Sequence, residues 1–374
     1  MDKSFVFGVS VEGENFTDRK EETKRIRSNF ENGVNTILIS PRRIGKTSLV
    51  KKVCSSITSP DIKTIYMDIY DCRNEYDFYT RFATSVLRGT SSRIEQALDS
   101  AKDFLGRLAP AISISPDPSH EFSISIGIKP KDLDPEATLS LPEKIAHKKG
   151  IHIVICIDEF QQIGEFPDSL TVQKRLRGSW QHQQSTSYCL FGSKKHMMEN
   201  IFQNRRMPFY MFGDTFYLKP IPTGEWIPFI QSRFASKGKF ITAELAEKIC
   251  STVDNHSSYV QQPAWNVLLQ TDSNATEQNL KDAVEELLNQ CSSLFTQQTE
   301  SLSSYQMNFL KAICSGIHSG FGHKEVTDRF DLGSKSNIAR IQKSLTDKEL
   351  IDKIDGRTVI ADPVLRLWLT SQYL

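Results

Sequence analysis

The chain has 374 residues, more than one hydrophobic core ordinarily organises, so two or three domains are expected. Hydrophobic residues at 39% and charged residues at 24% suit a folded globular protein and exclude a disordered or fibrous one. A formal net charge of +1 gives no global basic field, so nucleic-acid binding would have to come from a local patch.

Seven cysteines (Cys54, Cys72, Cys156, Cys189, Cys250, Cys291 and Cys314) are dispersed without CxxC spacing. That pattern predicts reduced core thiols of a cytosolic protein, not a disulfide framework or metal site. The stretch Met1-Asp2-Lys3-Ser4-Phe5 lacks a charged segment followed by an apolar one, so no secretory signal is expected. No apolar run approaches ~18 residues, so no membrane helix is predicted and a cytoplasmic location is the expectation.

Residues 1–17 read as an extended arm crossing the surface. Thr17 or Asp18 then predicts an N-cap, with Glu21 completing a capping box, and Asn32-Gly33 marks the end of that helix. A strand at 36–39, a loop, a helix at about 46–56 and a strand at 62–69 follow. Residues 75–108 are helical in pattern. The alternation at 112–126 around Pro116–Ser119 predicts a hairpin with one polar face. After a linker, a helix is expected at 135–149.

The continuous apolar run Ile151–Ile157 suits a central parallel strand buried on both faces. A helix at 168–184, a strand at 187–193 and a fifth strand at 214–218 complete an alternation that argues for a doubly wound parallel sheet. Beyond Pro222 the pattern predicts helices at 223–236, 242–253, 258–270 and 275–295, and a linker at Thr296–Ser304. Helices at 304–315, 323–330 and 334–347 precede strands 349–354 and 357–361, joined at Asp355-Gly356, a strong hairpin signal. Three helices and a hairpin make a winged helix-turn-helix. The expected domains are therefore 1–222, 223–297 and 298–374.

Thr36–Val50 reads as strand, phosphate-binding turn and helix start. Gly45-Lys46-Thr47 fits the Walker A pattern G-x-x-x-x-G-K-[ST], with Ser40 in place of the first glycine. In such a loop the backbone N–H groups of Ser40, Pro41, Arg42, Arg43, Ile44, Gly45, Lys46, Thr47 and Ser48, proline excepted, are placed to wrap phosphates at a helix N-terminus. Lys46 reaches the β- and γ-phosphates and Thr47 places its hydroxyl on Mg²⁺. Asp158-Glu159, at the carboxyl end of the apolar run, is the matching Walker B pair. Asp158 is the expected Mg²⁺ ligand together with Thr47, and Glu159 the group that polarises the attacking water. Two carboxylates capping a strand or the next helix is the alternative.

Several stretches together resemble the archaeal-type ATPase family: Ser-Pro-Arg-Arg-Ile-Gly-Lys-Thr-Ser-Leu at Walker A, Phe16–Glu22 upstream, Asp-Glu-Phe-Gln at Walker B, and Asp362–Leu369 near the end. That family belongs to the STAND branch of the AAA+ superfamily. The resemblance implies an ASCE P-loop sheet of order 5-1-4-3-2, a helical lid and a C-terminal winged helix. By position it also implies that Ser193 serves as sensor 1, that Arg205 or Arg206 is an arginine finger, and that Phe16 forms the apolar wall of an adenine pocket. A hydroxyl cap, a solvated arginine pair and a core aromatic are the respective alternatives. Asn255–Gln261 lies where sensor 2 would sit and carries no arginine; His256 reads as a capping or core histidine.

The winged helix is the candidate nucleic-acid reader. Lys335, Arg340 and Lys343 on its third helix and Lys353 and Arg357 on its wing suit phosphate contacts. Asp328, Asp331, Asp347, Glu349, Asp352 and Asp355 interleave with them, so an interaction or autoinhibitory module stays open. The function expected is that of an ATP-binding, Mg²⁺-dependent ATPase acting as a nucleotide-driven switch, with a protein client or a second copy as further partners and no membrane. A nucleotide-regulated DNA-binding protein, and a scaffold of a signalling or defence system with slow or no hydrolysis, are the other readings.

Overall fold

The apolar run at 151–157 becomes a strand, His152–Asp158, in the interior of a five-stranded sheet. A computed structural model describes residues 4–91, 112–117, 120–126 and 134–374, with side chains for 4–91 and 134–374. The chain divides into two units. One holds Arg19–Arg42 and Lys46–Lys219; the other holds Met1–Asp18, Arg43–Gly45 and Pro220–Leu374.

In the first unit the strands are β1 (Thr36–Ile39), β2 (Ile62–Asp68), β3 (Ile112–Asp117), β4 (His120–Ile126), β5 (His152–Asp158), β6 (Thr186–Gly192) and β7 (Asp214–Tyr217). Five of them form a parallel sheet of order β2-β5-β6-β1-β7. Counting only those five, this is the 5-1-4-3-2 order. Burial follows position: all of β6 and nearly all of β5 are buried, whereas β2, at an edge, alternates. That is why β5 reads as a continuous apolar run and β2 as a period-two pattern. Trp180, at the end of the helix Ser169–Trp180, stacks on Tyr188 of β6 at 4.0 Å between ring centroids, in a core shared with Phe78, Phe82, Phe160 and Phe209.

Local expectations fail in two places here. The first helix spans Lys20–Glu31, but its N-cap is Arg19 in the left-handed region (φ 67°), with no side-chain cap, so the capping box does not form. The Arg19 side chain is instead buried, donating to the Lys219 carbonyl at 2.6 Å and to Glu22 at 3.0 Å. Tertiary hydrogen bonding overrides the local cap. The helix from residue 75 is described over Glu75–Thr90, and its expected continuation to 108 lies outside the described residues. A helix at Lys195–Gln203 was not expected. β3 and β4 pair antiparallel, as the hairpin pattern predicts; its turn, its polar face and the linker after it lie outside the described residues.

The second unit is mainly helical: Thr223–Ala235, Ala243–Thr252, Ser257–Gln270, Glu277–Glu300, Ser304–Cys314, Lys324–Phe330 and Lys335–Asp347. A hairpin of β8 (Ile351–Ile354) and β9 (Arg357–Ile360) follows, then a helix at Pro363–Tyr373. Asp355 and Gly356 both take positive φ (49° and 78°), the geometry a tight two-residue hairpin turn needs. The linker expected at Thr296–Ser304 shrinks to three residues, because the helix from Glu277 runs on to Glu300. Phe295, 1% exposed, packs on Trp368 at 5.8 Å, and the Thr299 hydroxyl donates to the Phe295 carbonyl. Packing thus holds a Thr- and Gln-rich stretch in a helix that composition alone disfavours. The amino-terminal arm is anchored: Phe5 is buried against Phe229 and Phe234. Among the described residues, no helix is long and apolar enough to cross a membrane.

Candidate nucleotide site

β1 feeds directly into the loop, and the helix Lys46–Ser56 leaves it. Gly45 takes φ 101°, a conformation that side chains disfavour, which fixes the need for glycine just before the lysine. Ser40 lies outside the left-handed region and is 1% exposed, so its backbone does not require the glycine of the motif. Its hydroxyl has a task of its own. Lys46 Nζ donates to the Ser40 carbonyl at 3.0 Å, to Ser40 Oγ at 3.2 Å and to the Pro41 carbonyl at 2.7 Å. A buried ammonium is thereby satisfied by the loop that it closes.

Thr47 opens the helix and donates from Oγ1 to Asp158 Oδ2 at 2.7 Å, across 111 residues of sequence. The same oxygen accepts from the Tyr66 hydroxyl on β2 at 3.0 Å, and Asp158 Oδ1 accepts from the Glu159 N–H at 2.8 Å. Asp158 is 4% exposed. Burial raises its pKa, and the hydrogen bonds from Thr47 and Tyr66 partly offset this. Burial, followed by the charge of Asp158, raises that of the Tyr66 phenol.

Glu159 turns out of the strand in the left-handed region (φ 55°). Its Oε2 accepts from Ser193 Oγ at 2.9 Å and from Gln161 Nε2. Gln161 is 2% exposed and fits only because residue 192 is glycine: a Cβ there would meet Gln161 Oε1 at 1.8 Å. The structure therefore brings Lys46, Thr47, Asp158, Glu159 and Ser193 to the carboxyl edge of β1, β5 and β6. It adds Tyr66 and Gln161, which the sequence did not single out.

A family model described as an ATPase domain predominantly from Archaea matches residues 16–206. The chain belongs to this ATPase family. A second model, a probable winged helix domain, matches residues 293–371 of the chain. Two solved structures share its fold. The Walker-type ATPase of Pyrococcus abyssi is 15% identical with a TM-score of 0.71, covering 98% of this chain and 99% of that one. The Aeropyrum pernix ORC2 protein, solved in ADPNP–ADP complexes, is 15% identical with a TM-score of 0.57, covering 99% and 95%. None of the curated proteins matches the sequence.

The remaining candidates lie elsewhere in the chain. Arg205 and Arg206 are exposed in the turn after the helix Lys195–Gln203, where the Arg206 N–H donates to Asn204 Oδ1 at 3.0 Å. Arg42 is exposed, and Ile44 and Ser48 are buried. Phe16 is half-buried after the short turn Gly13–Asn15. The loop tip Arg43–Gly45 counts with the helical unit. There Ser257 Oγ donates to the Ile44 carbonyl at 3.2 Å, and Arg43 Nη1 lies 3.4 Å from the Tyr259 hydroxyl. Tyr259 in turn donates to Asp362 Oδ2 at 2.7 Å. His256 occupies the N-cap position of the helix Ser257–Gln270 without a side-chain cap, its ring 4.6 Å from that of Tyr259.

Proposed function

We propose that this protein binds ATP with Mg²⁺ and hydrolyses it, as a nucleotide-driven switch of the AAA+/STAND type. The observation that carries the reading is the shared oxygen of Asp158, which accepts from Thr47 of the P-loop helix and from Tyr66. A buried carboxylate beside a threonine hydroxyl is a set of hard oxygen donors, which fits Mg²⁺. Mg²⁺ held by Thr47 and Asp158 would supply charge neutralisation on the β- and γ-phosphates.

The chain's own groups do the rest. Loop residues 40–48 cradle phosphate through their N–H groups, and Lys46 exchanges its bonds to Ser40 and Pro41 for bonds to phosphate oxygens. Glu159 orients and deprotonates the attacking water, held in place by Ser193 and Gln161. Arg205 or Arg206 acts on the nucleotide of a second copy, and Phe16 contributes to the base pocket. In this reading the divisions 1–222, 223–297 and 298–374 are nucleotide domain, lid and winged helix, and the protein works in the cytoplasm. The ADPNP–ADP complexes of the A. pernix relative support a nucleotide ligand.

The test is nucleotide titration of the wild type, Lys46→Ala and Glu159→Gln. The reading requires Lys46→Ala to lose ATP and Glu159→Gln to keep it while losing turnover. A second reading, duplex-DNA binding, is favoured by exposed Lys335, Arg340, Lys343, Lys353 and Arg357 on the winged-helix segment. Gel-shift binding with a steep salt dependence supports it, and no binding at low salt removes it.

A further inference from the structure

Cys54 and Cys156 lie in one of the best-placed side-chain clusters outside the nucleotide contacts. The Cys54 Sγ is 3.6 Å from the Cys156 Sγ. Cys156 is fully buried in β5, and Cys54, near the end of the P-loop helix, is partly exposed. Cys189 stands beside Cys156 in register across β5 and β6, also buried.

The positions are coupled to the site by helix and strand periodicity. Cys54 follows Thr47 by seven residues, roughly two helical turns, so both face the sheet. Cys156 precedes Asp158 by two residues, so both face the helix. The P-loop helix thus touches β5 twice, through Thr47 and Asp158 at 2.7 Å and through Cys54 and Cys156 at 3.6 Å. Both are contacts within one unit.

We propose that Cys54 and Cys156 form a reversible disulfide under hydroperoxide, and that closing it weakens nucleotide binding at the loop that the helix carries. The second half rests on the functional reading above. The Cys54 thiolate attacks one oxygen of hydrogen peroxide, the O–O bond breaks, the leaving hydroxide takes up the proton that the thiol released, and a sulfenic acid and one water result. The Cys156 thiol then attacks that sulfur, the S–S bond forms, and the oxygen leaves as a second water. Two thiols are oxidised and one peroxide is reduced. The hydrogen bond with Cys156 also lowers the pKa of the Cys54 thiol, favouring the attacking thiolate. Contraction from 3.6 Å to a bond of about 2.0 Å brings the two sulfurs about 1.6 Å closer and pulls on the helix and strand that carry them, where positioning chemistry is sensitive to shifts of about 1 Å.

The test treats the reduced full chain with hydrogen peroxide, maps disulfide-linked peptides by mass spectrometry without reduction, and titrates ATP before and after. The expected result is a Cys54–Cys156 linked peptide, a loss of affinity on the order of tenfold, and recovery with a phosphine reductant. Cys54→Ser should bind ATP as the reduced wild type does and ignore peroxide. A peroxide-modified Cys54 with Cys156 still free overturns the proposal, and so does a disulfide that leaves affinity unchanged. If the reduced chain binds no ATP, the functional reading fails instead, and the linked peptide alone decides whether the thiols pair.

Discussion

Tyr66 and Thr47 donate to the same oxygen of Asp158, at 3.0 Å and 2.7 Å. The three residues come from β2, the P-loop helix and β5, so one carboxylate ties together the edge strand, the loop and the interior strand beside that edge. Tyr66→Phe removes one donor and leaves a buried carboxylate with less support. The expected cost is about 1 kcal/mol of stability, read as a lower denaturation midpoint, with more Mg²⁺ needed for half-maximal turnover. An unchanged Mg²⁺ requirement would limit the phenol to a structural role.

Gly192→Ala places a methyl group 1.8 Å from Gln161 Oε1. Gln161 must move, and Glu159 loses one of its two side-chain donors. The expected result is a stability loss of about 1–3 kcal/mol, as for other overpacked sites, with ATP still bound and turnover reduced. Gln161→Leu tests the same link without crowding; turnover equal to wild type in both would refute it.

The motifs were legible because their geometry is local. Strand, loop and helix in Thr36–Ser56 follow one another in sequence, and the apolar run before Asp158-Glu159 marks a strand buried on both faces. Sheet order was legible only through the family resemblance, since nothing local says that β1 lies between β6 and β7. Tyr66, Gln161 and Gly192 stayed hidden for a related reason. Their roles arise from strand neighbours far away in sequence; Tyr66 and Asp158 are 92 residues apart. Arg19 misled through its surroundings: Thr17, Asp18 and Glu21 look like a cap, but the buried bond to the Lys219 carbonyl sets the backbone there.

His152 provides a pH dependence. Burial lowers its pKa, and its Nε2 lies 2.9 Å from Ser187 Oγ. The folded form binds the proton less readily than the unfolded chain, whose histidine titrates near pH ~6.5. Stability from this group is therefore complete above that pH and declines as pH falls from there toward the lower folded pKa. Thermal melts between pH 7.5 and 5 should show the decline, and His152→Gln should flatten it. Identical slopes would assign the acid sensitivity to other groups.

Asp362 caps the last helix, accepting from the Val364 and Leu365 N–H groups at 2.8 and 3.2 Å through Oδ1, while Oδ2 accepts from Tyr259. Asp362→Ala should cost about 0.5–2 kcal/mol for the lost cap, and Tyr259→Phe less. Equilibrium denaturation of both variants checks the ranking; a larger loss for Tyr259→Phe would contradict it.

The central claim is that Lys46, Thr47, Asp158 and Glu159 form one working nucleotide site. Isothermal titration of ATP with Mg²⁺ into the wild type, Lys46→Ala and Glu159→Gln, paired with phosphate release, tests it most directly. The account predicts no detectable binding by Lys46→Ala, and binding by Glu159→Gln with turnover reduced by about 10²–10⁴-fold. Equal ATP affinity in wild type and Lys46→Ala, or no binding by any of the three, would contradict it.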